Sequence, residues 1–446
     1  MPAPTSHPHA SQPPASQPNV GQPHAPSYYA ASAHASPDRP ALRGAVTTGV
    51  CVIGAGFTGL SAALHLAEKG FPVTVLEANR VGWGASGRNG GQLVNGYSRD
   101  LDTIRERYGK DAERTLASMA QEGAAIIRER VAKYGLHCDL VDGGFHAAFT
   151  AKQMRGLEDF KRTWEANGLD GLEMVDAARL PQVVKTDRYV GGMIDHVGGH
   201  MHPLNYCLGS AAAFEGLGGV IHEASPVLSI DESGAKPVVR TAQGSVTAES
   251  VLICGNAYLH GVVPKVEREF MPTSSQVLTT EPLDAALLDD LLPANYCVED
   301  CNYVLDYYRR TADNRLLYGA GIVYGARELS DITASVRPKM LKTFPGLKSA
   351  QIDFAWSGDF ALTLTRVPHI GRLSPTVWFS HGDSGHGVTT TQLLGRLLAE
   401  GLSGQMERFD AWAALPCLPF PGGRTLSVPL SALGAWYYGL RDKLGI

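Results

Sequence analysis

Residues 50–92 read VCVIGAGFTGLSAALHLAEKGFPVTVLEANRVGWGASGRNGGQ. Val50-Cys51-Val52-Ile53 is an apolar run of the length of a buried parallel strand. Gly54-Ala55-Gly56-Phe57-Thr58-Gly59 follows, and Leu60, Ala63, Leu64 and Ala67 then fall on one helical face. Gly70 stands where a helix would end, and Phe71 to Leu76 reads as a second buried strand closed by Glu77. Strand, glycine turn, helix, strand and acid, in that order, describe a dinucleotide-binding βαβ unit. Gly54 permits the tight turn, Gly56 lets the backbone approach a pyrophosphate, and Gly59 lets the helix lie against the sheet. The pyrophosphate meets the helix N-terminus at Phe57 and Thr58, where free N–H groups and the dipole favour an anion. Glu77, followed by Ala78, is placed to accept hydrogen bonds from a ribose, and its charge argues against a 2′-phosphate. That leaves FAD or NAD, and the residues beyond Glu77 favour the flavin.

Those residues are Trp83-Gly84-Ala85-Ser86-Gly87-Arg88-Asn89-Gly90-Gly91-Gln92. So many glycines around Ser86, Arg88 and Asn89 make a loop whose backbone can lie against a flat or anionic ligand. A second strand, glycine turn and helix start comes over 300 residues later, at Val377 to Val388, with Gly385, His386, Gly387, Val388 and Thr389 at the turn. Two such turns imply one extended ligand held at both ends. Val251-Leu252-Ile253-Cys254 ending in Gly255-Asn256 reads as a further parallel strand, pointing a loop at the cofactor edge of the sheet.

The 446 residues exceed one ordinary core, and two domains are expected. A net charge of −5 without a basic stripe leaves no electrostatic footprint for nucleic acid, and no apolar run reaches the length of a membrane span. Seven scattered cysteines suit a reducing cytoplasm rather than a disulfide framework. Neither the Cys297/Cys301 pair nor the group Asp195, His196, His200 and His202 has the regular spacing of a metal site, so no metal is expected.

Residues 1–45 are rich in Pro, Ala, Ser, Gln and His and carry no charge before Asp38. Such a segment buries too little apolar surface to offset its ordering entropy, so disorder is expected, with Ser27-Tyr28-Tyr29 marking first contact with the body. Residues 98–134 look helical with a break at Gly109, and from there the βαβ repetition stops. Residues 270–344 turn to alternating strands, as in an antiparallel sheet of a second domain. The expected division is a cofactor domain of 46–97, 190–262 and 352–415, a substrate domain of 98–189 and 263–351, and a tail of 416–446 packed on the body.

GAGFTG, Glu77, ASGRNGGQ and SGHGV together resemble the D-amino-acid-oxidase-type superfamily of FAD oxidoreductases. The stretches SYYAASA, LVNGYSRDLD, GGHMHPLN, KTFPGLK and FPGGRTLSVPL narrow the likeness to those members that oxidise γ-glutamylputrescine. The resemblance implies a mixed α/β fold in which a FAD-binding Rossmann-like domain is interleaved with an antiparallel-sheet substrate domain. It also implies oxidative deamination of a free primary amine by O2, yielding an aldehyde, ammonia and hydrogen peroxide. It places Val227 on the adenine and residues 385–389 under the flavin pyrimidine. Some relatives tether flavin to a cysteine near residues 356–368; this chain has none there, so noncovalent FAD is expected. Sarcosine-type and D-amino-acid oxidation on the same fold remain open.

The substrate amine must be neutral before its lone pair can drive hydride departure, which an aromatic pocket would favour. Trp356, Tyr307, Tyr308 and Trp83 are candidates for it. His386 and the helix beginning near Val388 would offer donors to the reduced flavin. Arg309 and Arg366 are candidates to pair with a substrate carboxylate.

Overall fold

Parallel pairing of Gly44–Ile53 with both Val73–Leu76 and Gly244–Ile253 sets the first sheet. In the computed structural model, which describes residues 21–259, 261–325, 329–420, 428–429 and 431–433, this sheet is ordered His369–Arg372, Val377–His381, Gly244–Ile253, Gly44–Ile53, Val73–Leu76, Val220–His222. A small antiparallel hairpin, Ser229–Asp231 and Val238–Arg240, joins at Gly244–Ile253. Central strands read as continuous apolar runs because both faces are covered, as Cys51, Val52, Val251 and Leu252 show by complete burial. Helices Phe57–Glu68 and Gly387–Leu402 pack together over one face. Gly395 makes that approach possible, since a Cβ there would sit 2.5 Å from Ser61 Cβ.

The second sheet is larger and almost wholly antiparallel, running Ile352–Thr363, Phe270–Thr280, Leu316–Tyr324, Asp306–Arg310, Cys297–Asp300, Val141–Ala148, Gly191–His200, Gln92–Leu93. Only Cys297–Asp300 and Val141–Ala148 run parallel among these neighbours. Its outer face buries Phe145, Ile194, Val298, Tyr308 and Tyr318 in one cluster with Val336 and Met340 of helix Ile332–Thr343.

Two expected boundaries are corrected. Gly191–His200 and Ile352–Thr363 were assigned with the cofactor domain, but they pair along Val141–Ala148 and Phe270–Thr280 of the second sheet. Gly191, Gly192, Gly198 and Gly199 weaken the local strand signal of Gly191–His200, and the backbone ladder overrides it. The strand expected at Val251 to Cys254 begins earlier and runs Gly244–Ile253. The helical stretch after residue 98 is three helices, Leu101–Tyr108, Lys110–Ala117 and Glu122–Tyr134, broken at Gly109, with Asp100 capping the first.

The expected disorder of residues 1–45 is also corrected from residue 21 on; residues 1–20 lie outside the described residues. Ser27 caps the one-turn helix Tyr28–Ala31, and both tyrosines are buried. Farther on, the Arg39 guanidinium grips the Glu215 carboxylate at 2.7 and 2.8 Å. The apolar content of this arm is small, but it is concentrated in two adjacent aromatic rings. Of the expected tail, Phe420 packs on Met271 and Leu362, while 421–427, 430 and 434–446 lie outside the described residues.

Candidate active site

Both glycine turns open on one cavity of about 720 Å³ between the two sheets. At one end, Gly54 holds φ +102°, and a Cβ on it would stand 2.9 Å from the Cys254 carbonyl oxygen. A Cβ on Gly59 would fall 1.9 Å from the Gly54 carbonyl oxygen, so helix Phe57–Glu68 can meet the strand only through a glycine. The helix has no side-chain cap; Ser86 Oγ accepts from Phe57 N–H at 2.8 Å and ties the following loop to its first turn. Glu77 accepts from the Ala55 and Asn79 N–H groups at 2.8 and 2.9 Å, while burial pushes its carboxyl pKa up.

At the other end, strand Val377–His381 feeds Gly382 to His386 and then helix Gly387–Leu402, also without a side-chain cap. Asn256 braces this turn, its Oδ1 accepting from Gly382 N–H at 3.0 Å and its Nδ2 donating to Asp383 at 3.3 Å. Burial raises Asp383 to about 6. Three non-glycine residues on the cavity wall, Asn256, Arg366 and Ser384, hold positive φ of 46°, 63° and 52°. Such conformations cost energy and persist where surrounding structure fixes a functional geometry. Two uncapped helix N-termini facing one cavity, with glycines where side chains would fill it, fit a long anionic dinucleotide such as FAD.

The third wall belongs to the second sheet. Glu299 is the register partner of His146 on one side and of Tyr307 on the other, so the three side chains form a row on one face. Glu299 Oε1 lies 2.9 Å from His146 Nδ1, and Glu299 and Tyr307 line the cavity. Burial alone would raise the Glu299 carboxyl, but the His146 hydrogen bond and charge outweigh it and hold the pKa below the ordinary value. Burial likewise opposes charge on His146, and the same bond raises its pKa. Both shifts favour the charged pair. His386 faces the same space with its pKa lowered by burial, Glu299 opposing that shift.

The FAD dependent oxidoreductase family model matches residues 49–401, spanning both turns and the sheet between them. The chain belongs to this family. FAD is accordingly its cofactor. The chain is 55% identical over 406 residues to a gamma-glutamylputrescine oxidoreductase of Escherichia coli, covering 91% of this chain and 95% of the relative. It is 42% identical to a probable oxidoreductase, OrdL, of Haemophilus influenzae, over 88% and 92% of the two chains. The fold is shared with glycine oxidase from Geobacillus kaustophilus, with TM-score 0.68 and 20% identity over 81% of this chain and 95% of that one. L-proline dehydrogenase from P. horikoshii has the same TM-score, with 19% identity over 83% and 97%.

In this FAD dependent oxidoreductase the cofactor residues singled out from sequence line the cavity, except Gly59, Gly91 and Thr389. Gly59 acts through helix packing, as its spacing implied. Gly91 holds φ +72°, and a Cβ there would sit 2.2 Å from the Met201 carbonyl oxygen; Thr389 bonds the Val94 carbonyl oxygen at 2.6 Å. Tyr307 and Arg366 line the cavity; Tyr308, Trp356 and Arg309 do not. Tyr308 stacks on Tyr318 at 5.4 Å in the opposite core, because adjacent residues on a strand point to opposite faces. Trp356 donates its indole N–H to the Arg88 carbonyl oxygen at 2.8 Å and packs on Tyr29, so it props the glycine loop from below. Arg309 spends its guanidinium on Gly90 and Met201 carbonyl oxygens and on Tyr29 Oη. The histidines of 196–202 part company: His196 meets Glu173, His200 meets Asn295, and His202 caps helix Pro203–Gly216.

Glu299 escaped the sequence reading. Its only signal was an acid in the alternating stretch Cys297-Val298-Glu299-Asp300-Cys301, which the flanking thiols overshadowed.

Proposed function

We propose that this chain oxidises γ-glutamylputrescine at its free primary amine, with O2 as the final acceptor, on noncovalently held FAD. Per turnover, amine, O2 and water become aldehyde, ammonia and hydrogen peroxide. The observation that carries this reading is opposite charge on one cavity: the Glu299 carboxylate, and the Arg366 guanidinium held by Tyr303 Oη at 2.8 Å. A substrate with an ammonium at one end and an amino-acid carboxylate at the other matches that pair. The high identity to the Escherichia coli relative supports the same substrate. Seven free cysteines, five of them buried, support a reducing cytoplasm as its compartment.

FAD supplies the two-electron acceptor for the C–H bond beside the amine nitrogen. The chain's residues bind, orient and deprotonate. Glu299, kept charged by His146, accepts hydrogen bonds from the incoming ammonium. His386, neutral through burial, offers a nitrogen lone pair to take the proton that must leave before oxidation. Tyr307, with its hydroxyl 3.2 Å from Ser275 Oγ, walls the amine end with an aromatic face and excludes water. Arg366 fixes the far carboxylate and so sets which carbon stands at the reacting position.

Anaerobic titration of the purified yellow protein tests the reading. γ-Glutamylputrescine should bleach the flavin at far lower concentration than putrescine, with peroxide appearing on admission of air. Bleaching by sarcosine, glycine or a D-amino acid, and none by γ-glutamylputrescine, would overturn it.

A further inference from the structure

Away from the flavin cavity, four side chains from three distant parts of the chain converge. His369 and His381 are direct partners across the antiparallel hairpin His369–Arg372 and Val377–His381, so their imidazoles share a face. Both reach one carboxylate oxygen: His369 Nδ1 lies 2.7 Å and His381 Nε2 3.0 Å from Glu269 Oε2. Glu269 stands just before strand Phe270–Thr280 of the other sheet, and Cys417 arrives after helix Met406–Ala413. One donor atom from each of the four lies within 4.8 Å of the others.

We infer that Glu269, His369, His381 and Cys417 form a binding site for a divalent cation of zinc type. Two imidazole nitrogens, a carboxylate oxygen and a thiolate are a tetrahedral zinc donor set, whereas calcium and magnesium take oxygen donors. Carboxylate and thiolate together balance the two positive charges. Metal–ligand distances of about 2.0–2.3 Å place tetrahedral donors roughly 3.3–3.8 Å apart, so the histidine–glutamate contacts need open by less than about 1 Å. On binding, Cys417 releases its thiol proton to solvent, and each imidazole carries its proton on the nitrogen turned away from the metal. Glu269 and His369 keep 15% and 17% of their side chains exposed, which gives the ion an entry path, while His381 is fully buried. The ion would fasten the segment leading to Phe420, and the start of a second-sheet strand, to the edge hairpin of the first sheet. His381 is also followed directly by Gly382, where the second glycine turn on the cavity begins.

Elemental analysis and cobalt titration of the full-length holoenzyme test the site. We expect about one zinc per chain, and a cobalt-substituted protein with the strong d–d absorption of a tetrahedral site at wavelengths beyond the flavin bands. Cys417→Ser should remove the thiolate-to-cobalt charge-transfer band, and His381→Ala should cut bound metal to under about a tenth of an equivalent. Added zinc should raise the melting temperature of the chelator-stripped protein while leaving that of Cys417→Ser nearly unmoved. If His381→Ala does not fold, Cys417→Ser alone carries the test, and its flavin content reports whether it is intact. A protein that purifies without metal, shows no cobalt spectrum and gains no stability from zinc would overturn the proposal.

Discussion

At the residue scale, chemistry depends on which side chains share the cavity. Glu299 and Arg366 do so from different elements, and each supports a separable expectation. Glu299→Gln should lower kcat/KM for γ-glutamylputrescine by about 10–100-fold, the worth of a charge-assisted hydrogen bond. Steady-state peroxide assays check this, and a fall under twofold would remove Glu299 from substrate binding. Arg366→Ala should cost about 10-fold or more with γ-glutamylputrescine, but little with putrescine, which has no carboxylate. Equal losses on both amines would mean that Arg366 serves the fold rather than the substrate. The sequence already singled out Arg366 and Tyr307. It could not separate Tyr307 from Tyr308, because a one-residue step on a strand reverses the face and nothing local states which face is the cavity.

At the element scale, two joints carry expectations of their own. Gly59→Ala would drive a Cβ onto the Gly54 carbonyl oxygen and force helix Phe57–Glu68 off its strand. A loss of about 1–3 kcal/mol with reduced flavin retention is expected, read from thermal melts and the absorbance of bound FAD. The second joint is the start of helix Pro203–Gly216, where His200 ends a strand and His202 accepts from Asn205 N–H at 3.1 Å. Burial, and then the charge of Arg309, lowers both imidazoles to about 3. These groups stay neutral when folded but protonate near pH 6.5 when unfolded. Stability is therefore intact above pH 6.5 and lost as pH falls from there towards 3, by up to about 1.4 kcal/mol per pH unit for each histidine. His202→Asn keeps a capping side chain and removes one titrating group, so melting temperatures between pH 7.5 and 4.5 should fall less steeply than in the parent. An identical slope would show that His202 does not titrate as its burial requires.

At the scale of the whole molecule, the N-terminal arm joins parts that the sequence alone would separate. Tyr29 is fully buried, meets Trp356 at 5.4 Å and bonds Arg309, which in turn holds the Gly90 carbonyl oxygen of the glycine loop. Tyr29→Ala should cost about 3–5 kcal/mol and loosen FAD, although the residue does not line the cavity. A melting temperature within a degree of the parent would refute this. Among the described residues no helix is long and apolar enough to cross a membrane, as the hydropathy implied.

What the sequence determined by itself was local: the βαβ unit, the glycine loop after Glu77 and the second turn at 385–389. Each is specified within a few consecutive residues, since φ freedom, strand periodicity and helix starts are local properties. Only the tertiary structure decided the rest. Glu299 meets His146 through strand register, Gly191–His200 joins a sheet that its glycines conceal, and Glu269, His369, His381 and Cys417 come together from points up to 148 residues apart (417 − 269). Such juxtapositions depend on how sheets pair and pack, which no short stretch of chain encodes.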